Sequence, residues 1–135
     1  MSLAYVDSSA LLKRVFKEPE SSAFGSWLPE HRSQGGHWVC SALAGVEVAR
    51  TCLRRGAGED RRARAMSGMF LYSVDDQVLT RARIVGDPHL RSLDAIHLAT
   101  ALIIGVDVMV TYDDRLAEAS RAAGLDVLAP GTTLT

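Results

Sequence analysis

Runs of alternating and clustered apolar residues divide the chain into short strands, each followed by a segment with helical periodicity. LAYVD at 3–7 reads as a buried strand and SSALLKRVFK continues directly from it as a helix, with Leu11, Leu12, Val15 and Phe16 at helical spacing and Pro19 as its end. SSAFGSWLPEH supplies a short amphipathic segment carrying Phe24, Trp27 and Leu28 before Gly35 and Gly36 break the pattern. HWVC at 37–40 is the next strand. Ser41 then caps ALAGVEVARTCLRR, whose core stripe is Gly45, Val48, Ala49 and Cys52, and Gly56 and Gly58 turn the chain into an Arg-rich helix ending near Met69. Phe70–Val74 is a weak strand and DQVLTRARIVG is helical. LRSLDAIHLATAL forms a helix ended by Gly105, with Ser92 as one possible cap. VDVMVTY at 106–112 is the clearest strand, DDRLAEASRAAG its helix, and LDVLAP a last strand. Strands alternating with helices predict an α/β fold, a central parallel sheet of about four to five short strands with helices on both faces.

The helix beginning at Leu90 is apolar nearly all round, yet it carries Asp94. On a helical wheel Leu90, His97, Leu98 and Ala101 share the face of this carboxylate, and Leu93, Ile96, Thr100 and Ile104 fill the rest. An uncompensated buried carboxylate costs several kcal/mol, roughly, so a cation or several donors must answer it. Asp7 and Asp113 lie at the ends of two strands, where parallel sheets bind ligands. Each also has a simpler use as a helix N-cap. Glu47 falls on the wheel with Leu43, Arg50, Thr51 and Arg54, away from the core stripe, where an ion pair with Arg50 accounts for it. Carboxylates that converge repel one another, and a hard divalent cation such as magnesium relieves the repulsion. His97 lacks a second histidine or cysteine at zinc-ligand spacing and reads as a satisfied core histidine.

Composition narrows the rest. At 135 residues the chain suits one domain over 1–135 with a core of its own, and no repeat or linker interrupts it. Its two cysteines, Cys40 and Cys52, form no CxxC pair and read as small buried thiols of a cytoplasmic protein. Asp7 interrupts the N-terminal apolar run before it reaches signal-peptide length, and no run is long enough to span a membrane. The net charge of −1 decides nothing about nucleic acid, because a polyanion responds to local charge. Of 15 basic residues only Lys13 and Lys17 are lysine, and five arginines fall between Arg54 and Arg64. That cluster is either a solvated turn or a phosphate-contacting patch. A receiver domain would need a lysine after a late strand, and a haloacid-dehalogenase-type phosphatase an aspartate where Ser9 stands; both fail on these residues.

Four motifs in order carry a resemblance over nearly the whole chain: Asp7-Ser8-Ser9-Ala10 followed by LLKRVFKEPES, Ser41 and Glu47 in SALAGVEVAR, Leu93-Asp94-Ala95 with His97 and Ala99, and Thr111-Tyr112-Asp113 followed by RLAEASRAAG. The chain resembles the PIN-domain ribonucleases, and among them the VapC-like toxins of bacterial type II toxin–antitoxin pairs. The resemblance implies a single PIN-like domain and a metal-dependent endoribonuclease whose acidic quartet falls on Asp7, Glu47, Asp94 and Asp113. Mg2+, with Mn2+ as a substitute, would be held by Asp7, Asp94 and Asp113. Ser8 and Thr111 match the family's small hydroxyl positions and would orient carboxylates or water. Asp114 stands beside Asp113, so one would serve the metal while the other caps the helix. The resemblance further implies an RNA substrate, a VapB-like antitoxin seated against Leu12, Phe16 and Trp27, and a homodimer. The alternative is a non-catalytic PIN-like scaffold that binds RNA or a protein partner.

Overall fold

In the computed structural model, which describes residues 2–132, LAYV owes its burial to a central position. The termini of the domain expected over 1–135 lie outside the described residues. Strand β1 (Leu3–Val6) pairs in parallel with β2 (His37–Ser41) on one side and with β4 (Val108–Val110) on the other. Beyond them lie β3 (Phe70–Tyr72) and β5 (Asp126–Leu128), giving a five-stranded parallel sheet in the order β3-β2-β1-β4-β5. The chain builds outward from β1 to β3, then returns to the other side of β1. That reversal leaves a crevice at the carboxyl ends of β1 and β4, where open parallel sheets collect ligands.

Side chains alternate across the sheet as the strand period of two requires. Ala4, Val6, Cys40 and Val110 enter one apolar cluster, while Tyr5, Val39 and Met109 enter a second on the opposite face. The first cluster is closed by α1 (Ser8–Leu11), α2 (Ser21–Ser33), α3 (Ala42–Arg55) and α4 (Glu59–Met66), through Leu11, Phe24, Val48 and Ala65. The second receives Leu98 and Ala101 from α6 (Ser92–Ile104) and Leu116 from α7 (Asp114–Ala122). α5 (Asp76–Ala82) packs against α6. Gly56 and Gly105 take left-handed backbone angles, φ 72° and 81°, and stop α3 and α6 at the expected places. Among the described residues no helix is long and apolar enough to cross a membrane.

Several local expectations need correction. The first helix is one α-turn followed by a 3-10 turn at Leu12–Arg14. Continuing it would pair the Val15 carbonyl with the N–H of residue 19, which is proline and has none. Arg61 Nη2 donates to Val15 O instead, at 2.5 Å, and Ser21 Oγ donates to Phe16 O at 2.9 Å. The segment after Pro19 is a full helix of 13 residues, α2, which runs through Pro29; burial of Phe24, Leu28 and His31 on its inner side holds it. The strands expected at 70–74, 106–112 and 125–130 keep only their three paired residues each. Arg91, not Ser92, occupies the N-cap of α6, and Leu93 is 48% exposed, so this helix keeps an open side next to Asp94.

Candidate active site

Asp7 follows β1 and is buried, 3% exposed. Its carboxylate is the N-cap of α1: Oδ1 accepts from the Ala10 N–H at 3.0 Å and from Ser9 Oγ at 2.7 Å, and Oδ2 accepts from Thr111 Oγ1 at 2.6 Å. Thr111, which follows β4, in turn accepts from the Asp113 N–H at 3.0 Å, and Ser9 Oγ accepts from the Tyr112 N–H at 2.9 Å. The loops after β1 and β4 are thereby laced together around one carboxylate. Burial raises the Asp7 pKa above the ordinary aspartate range, although His97 and these three donors pull it down.

Asp113 caps α7, its Oδ1 accepting from the N–H groups of Arg115 at 2.9 Å and Leu116 at 3.1 Å. Asp94 sits in the first turn of α6. Its Oδ2 is buried without a hydrogen-bond partner. Burial raises the Asp94 pKa first, and the charges of Asp113 and Asp7 raise it further against the opposing pull of His97 and Arg91. Asp94 thus feels the charges of both Asp113 and Asp7. Glu47, on α3, accepts from His97 through Oε1 at 2.6 Å and leaves Oε2 without a bond among the described residues. Both roles weighed for Asp113 are compatible, since capping occupies Oδ1 and leaves Oδ2 without a hydrogen bond among the described residues. Asp114 is exposed in the first turn of α7.

Each acid therefore presents an oxygen with spare acceptor capacity: Oδ2 of Asp7, Asp94 and Asp113, and Oε2 of Glu47. Carboxylate oxygens are the donors a hard divalent cation takes, and the orphaned Asp94 oxygen is the kind of group such an ion would satisfy. Among the described residues, however, no three histidine, cysteine, aspartate or glutamate side chains are gathered closely enough to hold one ion between them. Like charges stand apart, so the donor set fits a cation in kind, with closure around it still required.

The structure moves several expected roles. The hydroxyl that orients Asp7 belongs to Ser9; Ser8 makes no side-chain hydrogen bond among the described residues, because the position two after the N-cap, not one, turns back onto the capping carboxylate. Phe16 is buried in the chain's own core, 7% exposed, and Leu12 and Trp27 are partly buried against it, so the expected antitoxin seat offers little of Phe16 as open apolar surface. The arginine cluster is partly structural: Arg55 and Arg61 cover the Phe16 ring, and Arg62 pairs with Glu59, while Arg14, outside the cluster, donates to the carbonyls of Ala65 and Ser67. Arg50, Arg91 and Arg115, each near an acid in the chain, are exposed. An open groove of about 940 Å³ runs between the 86–90 loop and α7, lined by His89, Leu90, Arg115 and Glu118 among others. Tyr5 escaped sequence reasoning altogether, and no periodic signal singles it out.

Residues 4–122 match the PIN domain family. The chain is 41% identical to Ribonuclease VapC46 of Mycobacterium tuberculosis over 133 residues, covering 96% of this chain and 99% of that protein. In fold it is similar to VapC20 of Mycobacterium tuberculosis, a sarcin-ricin loop cleaving toxin, with a TM-score of 0.71 at 16% identity over 94% of this chain and 99% of the other. It is also similar to VapBC2 of Rickettsia felis, solved bound to a promoter DNA fragment, with a TM-score of 0.70 at 10% identity over 95% and 98%.

Proposed function

The chain belongs to the PIN domain family, and on that premise we propose that it is a VapC-type endoribonuclease toxin, cleaving RNA phosphodiester bonds with the help of a divalent cation. One observation carries the reading: Asp94 holds a buried oxygen with no hydrogen-bond partner while the charges of Asp113 and Asp7 bear on the same carboxyl group.

Asp7, Asp94 and Asp113 are the residues that would hold the cation, Mg2+ or in its place Mn2+. Bound there, it would supply the Lewis acidity that displacement by water at a phosphodiester needs. The protein's own contribution is placement. Ser9, Thr111 and the Ala10 N–H fix the Asp7 carboxylate in one rotamer, and the α7 amides do the same for Asp113. Glu47 Oε2 supplies an acceptor for a proton of the attacking water. Arg50, Arg91 and Arg115 surround the acids with positive charge for the RNA backbone, which reaches such a crevice most easily as a single strand or loop. The partner of this reading is a VapB-like antitoxin, and the active unit a homodimer.

Purified protein incubated with total RNA tests the proposal. Cleavage that requires Mg2+ or Mn2+, stops on chelation and is lost in Asp94→Asn is expected; RNA binding without metal-dependent cleavage would mark a non-catalytic scaffold instead.

A further inference from the structure

His97 lies one turn beyond Asp94 on α6, 2% exposed, and both its ring nitrogens are engaged. Nε2 is 2.6 Å from Glu47 Oε1, and Nδ1 is 2.6 Å from the Tyr5 hydroxyl. Tyr5 is fully buried in β1, meets the His97 ring edge-on at 5.8 Å, and its oxygen accepts from the Ser41 N–H at 3.2 Å. Ser41 is the N-cap of α3, the helix that carries Glu47. The loop of contacts is closed: from the start of α3 to β1, from β1 to α6, and from α6 back to the second turn of α3.

We propose that His97 is a positioning residue that holds the Glu47 carboxylate in its working orientation, with Tyr5 fixing the imidazole. This rests on the reading of Glu47 as one of the acids of the site. The geometry works in either protonation state of the ring. When His97 is neutral, the Tyr5 O–H donates to Nδ1, which leaves the ring proton on Nε2 for Glu47; when it is charged, both nitrogens donate. Glu47 accepts from Nε2–H in both cases. A glutamate on an exposed helix face has three side-chain torsions and loses rotamer entropy when it is held still. His97 can hold it because its own ring is locked by burial and by Tyr5. Partners of this kind, one bond removed from the reacting groups, change activity by about 10–100-fold when removed. The arrangement also explains why a glutamate on the polar side of α3 belongs to the crevice: the buried ring reaches out to it through Nε2.

The test uses the full chain as wild type and as His97→Leu, His97→Gln, Glu47→Gln and Tyr5→Phe. Cleavage of total RNA at saturating Mg2+ should fall about tenfold or more in maximal rate for His97→Leu, with the half-saturating RNA concentration unchanged, and His97→Gln, whose amide N–H can replace Nε2–H, should recover most of the loss. A His97→Leu protein that folds and cleaves at the wild-type rate overturns the inference, as does His97→Gln with no recovery. Independently of activity, the His97 ring signals in 15N-1H NMR spectra of metal-free protein should show an Nε2–H protected from exchange, displaced by Glu47→Gln, whereas Tyr5→Phe displaces Nδ1. An Nε2–H signal unchanged by Glu47→Gln overturns the inference even if His97→Leu fails to fold. Should wild-type protein cleave no RNA with any divalent cation, the proposed function fails, while the spectra still decide whether His97 holds Glu47.

Discussion

Thr111 donates its hydroxyl to Asp7 Oδ2 at 2.6 Å across 104 positions of the chain, binding the end of β4 to the end of β1. Both residues are buried. Hydrogen bonds to a charged group contribute about 1.5–3 kcal/mol. Thr111→Val keeps the shape but removes both this donor and the acceptor of the Asp113 N–H, so urea unfolding should show a loss of at least about 1.5–3 kcal/mol, and Thr111→Ser a smaller one. A Thr111→Val protein as stable as wild type would mean that Ser9 and the Ala10 amide suffice for Asp7.

Asp94→Asn should separate chemistry from folding. The amide removes a charge that burial and two neighbouring aspartates already oppose, so the metal-free melting temperature should stay level or rise. Millimolar Mg2+ or Mn2+ should raise the melting temperature of wild type, because a ligand of the native state stabilises it by mass action, and should raise that of Asp94→Asn less. RNA cleavage should vanish. An active Asp94→Asn protein would remove Asp94 from the site.

Asp113 and Asp114 are told apart by their backbone bonds. Asparagine can also cap a helix, so Asp113→Asn should fold normally and lose cleavage, while Asp114→Asn keeps both. Cleavage rates of the two variants in the reverse order would transfer the fourth acid to position 114.

Cys40 offers a pH test outside the site. Burial, and then the Asp7 charge, push its thiol from 9.0 up to about 12. The unfolded chain releases that proton near pH 9 and the native chain holds it, so native stability falls as pH rises above about 9 and levels off only near the folded value. The slope from this group alone is about 1.4 kcal/mol per pH unit. Cys40→Ala should be less stable at pH 8 and should show a shallower alkaline decline. Parallel declines in the two proteins would place the proton release elsewhere.

Trp27 stacks on His31 at 4.8 Å and on Phe24 at 6.1 Å and remains partly buried. Trp27→Ala should weaken binding of the cognate antitoxin, followed by calorimetry, while metal-dependent cleavage persists. Unchanged antitoxin affinity in a folded Trp27→Ala protein would assign the indole to the core alone.

What was legible in the sequence follows the range of each signal. The parallel sheet was readable because alternation and helix periodicity act over a few residues. Asp94 stood out because a carboxylate conflicts with its apolar helix, and Asp7 and Asp113 because strand ends are where such sheets work. Glu47 is proposed through resemblance only: its wheel position is polar, and its tie to His97 crosses 50 positions between two helices, which no period records. The shift from Ser8 to Ser9 turns on which hydroxyl points back at an N-cap, a matter of one residue of rotation. The early end of the first helix was half visible, since Pro19 removes a donor, but the Arg61 that supplies the replacement is 46 positions away.

The order of strands sets when the crevice comes into being. β1 is made about a hundred residues before its neighbour β4, which Thr111 and Asp113 follow. Until β4 inserts, Asp7 lacks the Thr111 donor and the strand end that Asp113 follows. A chain that stops short of β4 therefore holds Asp7, Glu47 and Asp94 without the strand end that gathers them, and the crevice exists only once residues 108–113 are in place.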